Sequence, residues 1–179
     1  PMNELMKYGD DIMYVRQANG GLSLARNKGV DIATGSYIQF VDADDQLIQH
    51  PYEQCIDIIR NHQNVDMVLF DFSHLLNEET TQKSVKPVSG SEYMCNNNIH
   101  GTACGYIFRR NILGELRFTS GIYHEDEEFT PQLLLRAETV YPTHAKAYFY
   151  RQRQESIISS KKDTNIHKRL KDKEGIIKR

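Results

Sequence analysis

Ala33-Thr34-Gly35-Ser36-Tyr37-Ile38-Gln39-Phe40-Val41-Asp42-Ala43-Asp44-Asp45 (residues 33–45) joins a helix stop, a short apolar run and three carboxylates in one stretch. Thr34-Gly35 ends the helical pattern before it. Tyr37, Ile38, Phe40 and Val41 mix aromatic and β-branched side chains in a run too short for a helix, which predicts a strand buried on both faces. That strand stops abruptly at Asp42. In open α/β sheets ligands bind beyond the carboxyl ends of the strands, so the acidic turn is where chemistry is expected.

Working outward, Leu22, Ala25, Val30 and Ala33 recur at helical spacing, preceded by a Gly-rich loop at 17–21 and by Ile12-Met13-Tyr14-Val15, which reads as a short buried strand. Downstream, Pro51 suits a first helical turn, and Tyr52, Cys55, Ile56 and Ile59 predict an amphipathic helix over 51–62. Residues 65–72, VDMVLFDF, follow as another strand. Strand, helix, strand, helix, strand is the order of a parallel sheet covered by helices. Beyond residue 73 the signal thins: Ser89 or Ser91 caps a short helix, and 101–109 is a strand candidate. Phe129, Leu133, Leu134 and Ala137 then share the face of a helix over 125–137, and 145–151 reads as a closing strand.

A length of 179 residues fits one domain at roughly 150 residues each. No apolar run approaches the roughly 20 residues of a membrane span. The formal charge of −2 is unevenly spread: residues 161–179 hold eight Lys/Arg against three Asp/Glu, and residues 1–160 hold 14 against 21. An acidic body argues against nucleic acid as a partner and suits a cation site. Cys55, Cys95 and Cys104 are an odd number without metal-ligand spacing, and Cys55 falls in a helical apolar pattern as a buried thiol, so a reducing, cytoplasmic compartment is expected. Ile166, Leu170 and Ile177 stand at helical spacing in the basic tail, either as a solvated helix or as a peripheral contact with the inner face of a membrane.

Asp42, Asp44 and Asp45 repel one another unless a cation sits among them, and an all-oxygen set of this kind selects Mg²⁺ or Mn²⁺. Such a pair serves either phosphoryl transfer or departure of a nucleoside diphosphate from an activated sugar. A phosphatase pattern DxDx[TV] is broken by Gln46. The second acidic cluster, His124-Glu125-Asp126-Glu127-Glu128, opens the helix containing Phe129, where carboxylates favour the macrodipole; four together exceed what capping needs, and one could act as general base.

Several ordered pieces resemble the inverting family-2 glycosyltransferases of GT-A fold, particularly enzymes of bacterial cell-surface polysaccharides. The pieces are Asn19-Gly20-Gly21-Leu22-Ser23 with Ala25-Arg26-Asn27, then residues 33–45, Arg117-Phe118, Gly121 to Phe129, and Tyr150-Arg151-Gln152-Arg153 with Ser156-Ile157. The resemblance implies an α/β GT-A Rossmann-like sheet with flanking helices over 1–160 and a separate basic tail over 161–179. It implies that Asp42 and Asp44 match the DxD motif that meets the ribose and a Mn²⁺ or Mg²⁺ ion, with Asp45 a further contributor. Asp126 matches the catalytic base, with Glu125 the second choice and otherwise a substrate-binding residue. Gly20, Gly21, Arg26 and Asn27 match the donor-binding side. The implied donor is a nucleotide sugar, most often a UDP-sugar, and the implied acceptor a glycan or lipid-linked hydroxyl. Arg151 and Arg153 face either the diphosphate or solvent, and His144 is a weaker candidate metal ligand.

Family members open with a strand and loop of the type IIVPVYN, absent upstream of Ile12. The expectation is therefore an N-terminally truncated domain that binds donor poorly alone, the alternative being a non-catalytic remnant or glycan-binding module of the same fold.

Overall fold

Met67 and Val68 are neighbours in the chain, both are fully buried, and they feed two separate apolar cores. A strand enclosed from both faces produces this arrangement, because its side chains alternate between faces. The computed structural model describes residues 6–76, 85–151 and 163–179, and within them this strand lies in the middle of a five-stranded sheet. The strands are β1 (Tyr37–Gln39), β2 (Gln46–Leu47), β3 (Met67–Ser73), β4 (Tyr106–Arg109) and β5 (Val140–Phe149). The helices are α1 (Leu22–Ile32), α2 (Gln49–Asn61), α3 (Gly90–Asn96), α4 (Glu125–Leu134) and α5 (Asp163–Ile177).

The sheet order is β1-β4-β3-β5-β2. Only β3 and β5 pair in parallel; β1 with β4, β4 with β3, and β2 with β5 are antiparallel. The all-parallel sheet expected from the alternation of elements is thus corrected to a mixed one. β1, β3 and β5 do share one direction, as connections through a packed helix require. β4 is inserted between β1 and β3 in the opposite sense, which periodicity cannot reveal because it marks a strand and not its direction.

Ile38, Met67, Tyr106, Phe108 and Val140 face one core, closed by Val30 of α1 and by Phe129 and Leu133 of α4. Val68, Phe70, Ile107 and Tyr141 face the other, closed by Cys55 and Ile58 of α2. Ser89 caps α3, its Oγ accepting the Glu92 N–H at 3.1 Å. The start of α3 lies against the end of α4, so close that a Cβ on Gly90 would stand 1.8 Å from the Leu134 carbonyl oxygen.

Three expectations change. Residues 12–15 form no strand: Ile12, Met13, Tyr14 and Val15 are exposed, and no described strand supplies them with ladder partners. α1 buries Ser23, Arg26 and Val30 rather than the apolar positions Leu22 and Ala25. β5 begins at Val140 instead of 145; Pro142 disguises its first half, and the register with β3 shifts between Leu69 and Asp71. The tail does form a helix, α5, but Ile166, Leu170 and Ile177 point to solvent while other positions contact the body. No helix among the described residues is long and apolar enough to cross a membrane.

Candidate active site

α1 starts on Gly21, whose φ of 87° and ψ of 176° place it in a region that residues with a Cβ rarely enter. That turn, steadied by the Gly21 N–H donating to Asn19 Oδ1, directs Arg26 inward one helical turn later. Gly20 precedes it, where a Cβ would stand 2.4 Å from Leu24 Cδ1. Asn27 makes a two-way bond with the Phe118 backbone, donating to its oxygen at 2.9 Å and accepting from its N–H at 2.8 Å, while Ser23 Oγ donates to Thr119 O. These contacts bring the segment after β4 alongside α1.

Arg26 is the hub. Its side chain is 7% exposed; Nη1 donates to Glu125 Oε1 at 3.0 Å and Nη2 to Asp42 Oδ1 at 3.1 Å. The guanidinium carbon also stands 6.0 Å from the Phe40 ring centre and 5.4 Å from that of Phe118, within cation–π range of both. Phe118 in turn stacks on Phe129 of α4 at 3.8 Å. Burial alone would weaken the cation, but Asp42, Cys104 and Glu125 together outweigh burial and hold the guanidinium above its ordinary range. Nε remains buried without a hydrogen-bond partner. Arg26 is therefore an internal tie between the end of β1 and the start of α4, not a surface charge of a helix.

β1 is an edge strand that ends at Gln39, short of the expected doubly buried run, with Val41 exposed; Asp42, Asp44 and Asp45 follow it, but they are not equivalent. Tyr148 of β5 accepts the Asp42 N–H at 3.0 Å and donates its hydroxyl to Asp45 Oδ2 at 2.9 Å, and the Arg151 N–H donates to Asp45 Oδ1 at 2.9 Å. Asp45 is thereby occupied in anchoring the loop to β5. The Asp42 side chain is 37% exposed, and Asp44 is half-buried. Tyr148 gave no signal in the sequence, since its position in an aromatic run marks a strand and nothing about a partner 103 residues away.

His124 caps α4 in the left-handed region, φ 62°, and its Nδ1 meets Glu127 Oε1 at 3.0 Å. Left-handed backbone on a residue other than glycine is uncommon and clusters at functional turns. Glu125 is buried on Arg26. Asp126 beside it has its carboxyl pushed up to about 6, first by burial and then by the Glu125 charge, against the pull of Arg26. A carboxylate so tuned is ionised near neutrality yet basic enough to accept a proton.

Asp42, in the turn after β1, and the Asp126 turn are thus brought together through one arginine. His144 of β5, 89% exposed, pairs with Asp71 of β3 at 3.3 Å instead of with Asp42 or Asp44. Arg151 contributes its backbone N–H; Gln152, Arg153, Ser156 and Ile157 lie outside the described residues. Cys55 is buried as expected, and Cys104, also buried, lies near Asp42, burial pushing each thiol up to about 11. Among the described residues no three His, Cys, Asp or Glu groups converge as a complete metal cage. Two oxygen donors, Asp42 and Asp44, fit Mg²⁺ or Mn²⁺, which typically use one or two carboxylates and complete their shell with phosphate and water.

Comparison with known proteins agrees with this architecture. The chain is 27% identical over 161 residues to the uncharacterized glycosyltransferase YibD of Escherichia coli, covering 80% of the chain and 46% of YibD. It is 26% identical over 159 residues to the minor teichoic acid biosynthesis protein GgaB of Bacillus subtilis, covering 83% of the chain and 17% of GgaB. The chain thus spans less than half the length of these relatives. Residues 1–349 of S. aureus TarS, solved in complex with UDP-GlcNAc, superpose with a TM-score of 0.66 at 24% identity, over 87% of this chain and 46% of that one. The fold is accordingly the GT-A glycosyltransferase architecture. The model of glycosyl transferase family 2 matches residues 1–117, and the chain belongs to that family.

Proposed function

We propose that the protein transfers a sugar from a nucleotide-diphosphate donor, a UDP-sugar, to a hydroxyl of a glycan or lipid-linked acceptor, with inversion at the anomeric carbon. The observation that carries this reading is the Asp42–Arg26–Glu125 bridge, which fastens the DxD loop to the turn bearing Asp126. TarS has been solved with UDP-GlcNAc, and the name of GgaB places it in teichoic acid biosynthesis, which favours a UDP donor and a cell-surface acceptor.

In this reading Asp126 takes the proton of the acceptor hydroxyl as that oxygen attacks, and its raised pKa keeps it a competent base near neutrality. One base suffices, because the donor brings its own leaving group and needs no general acid, unlike the two-carboxylate hydrolases. Asp42 and Asp44 would hold Mn²⁺ or Mg²⁺, which when bound supplies positive charge against the departing diphosphate. Gly20 and Gly21 leave the backbone open to the nucleotide, and Asn27 keeps the 118–119 segment against α1. Arg26 holds Asp42 and Glu125 in place. The test is UDP release from UDP-sugars by the protein with Mn²⁺, with Mg²⁺ and with chelator; no donor turnover with any UDP-sugar would sink the assignment.

A further inference from the structure

The basic tail is not spent on solvent. Asp172 of α5 accepts the Tyr123 N–H at 2.9 Å, and Lys168 one turn earlier donates to Asp172 at 2.6 Å and to the Gly121 carbonyl at 2.7 Å. The Lys168 ammonium also lies 4.9 Å from the centre of the Tyr123 ring. Further along, Lys173 pairs with Glu127 at 3.0 Å and Arg179 with Glu128 at 2.8 Å. Apart from the Lys168–Asp172 pair within α5, each of these contacts falls on residues 121–128, the segment that carries His124 in its left-handed conformation and then Asp126.

The inner end of this contact is well enclosed: the Asp172 side chain is 13% exposed. Burial would raise its carboxyl, but Lys168 and the Tyr123 N–H hold it below the usual carboxylate range, so it is ionised whenever the protein is folded near neutrality. The outer pairs are half-exposed and individually weak. Residues 121–123 precede the helix and lack its ladder, so their backbone groups need partners from elsewhere. α5 supplies them.

We infer that Asp172 and Lys168 are positioning residues for the turn that carries Asp126, fixing from the C-terminal helix the backbone from which the base projects. This rests on Asp126 being the base. It also gives the polar face of α5 a role that membrane contact would not.

The first measurement is amide hydrogen exchange in the 179-residue chain, with β3 amides as the internal reference. Asp172→Ala is expected to speed exchange of the Tyr123 amide at least tenfold while β3 stays protected; Lys168→Met should do so in part, and Lys168→Arg should restore protection. Unchanged Tyr123 exchange in Asp172→Ala would overturn the inference. The second is the transfer assay, where Asp172→Ala should lower kcat several-fold with the donor KM unchanged and Lys168→Arg should retain kcat. A freed Tyr123 amide with unaltered kcat would make the contact structural only and would also overturn it. A wild-type protein without transfer would instead remove the transferase reading, and Tyr123 exchange would still decide whether α5 holds the turn.

Discussion

Arg26 Nη1 lies 3.0 Å from Glu125 Oε1, although 99 positions separate the two residues in the chain. Both side chains are nearly enclosed, at 7% and 10% exposure. Removing one member of such a pair strands the other charge, which typically costs about 3–5 kcal/mol. Arg26→Met is therefore expected to lose stability of that order in urea denaturation, with most of the cost traced to Glu125, because Asp42 is more exposed and better solvated. Adding Glu125→Gln to Arg26→Met should recover a large part of the loss. A single variant within about 1 kcal/mol of wild type would refute the buried pair.

Asp126 makes stability depend on pH in a defined direction. Its carboxyl is raised from 3.8 to about 6 in the folded protein, so between those values the folded state keeps a proton that the unfolded chain has released. Stability from this group therefore falls as pH rises through that window and is level above it, by on the order of 3 kcal/mol in all. Asp126→Asn removes the effect. The variant should match wild type near pH 4 and exceed it at pH 7.5 in thermal melts; a constant difference at both pH values would contradict the raised pKa.

The same substitution tests chemistry separately from stability. Loss of a general base typically costs 10² to 10⁴ in rate, so Asp126→Asn should lower kcat by at least about 100-fold while the donor KM stays within a few-fold. Transfer unaffected by the change would take Asp126 out of its role.

How much of this could be read in the sequence follows from the range of each interaction. The helices α2 and α4 and the strand β3 announce themselves through local periodicity, and the acidic turn after β1 through its abruptness. Arg26 carried a motif but no sign of burial: α1 turns Ser23 and Arg26 inward because the Phe118–Thr119 backbone and two distant carboxylates receive them. A purely apolar face was the wrong guide there. Tyr148 and Asp172 had no local signal either, since their partners lie 106 and 49 residues away. The direction of β4 and the exposure of Ile12 to Val15 are likewise set by which strands are neighbours, a property of the whole sheet.

Asp44 and Asp45 are adjacent and chemically alike, but Asp45 is tied down by β5 and the segment after it. Asp45 receives the Tyr148 hydroxyl and the Arg151 N–H, and burial holds that phenol protonated far above its ordinary range, so the donor persists at any working pH. Tyr148→Phe leaves the Asp42 N–H without its partner and Asp45 short of one, a loss of about 1–3 kcal/mol for buried polar groups. Asp45→Asn keeps the shape and should cost less. Asp45→Asn leaves in place the Asp42 and Asp44 carboxylates that would take a divalent ion. Asp44→Asn is therefore expected to raise the Mn²⁺ concentration for half-maximal UDP release at least tenfold with little change in the melting temperature. Asp45→Asn should do the reverse, lowering the melting temperature with the Mn²⁺ requirement near wild type. Equal Mn²⁺ dependence of the two variants would mean that the loop presents both carboxylates to the ion, and the anchoring role of Asp45 would have to be abandoned.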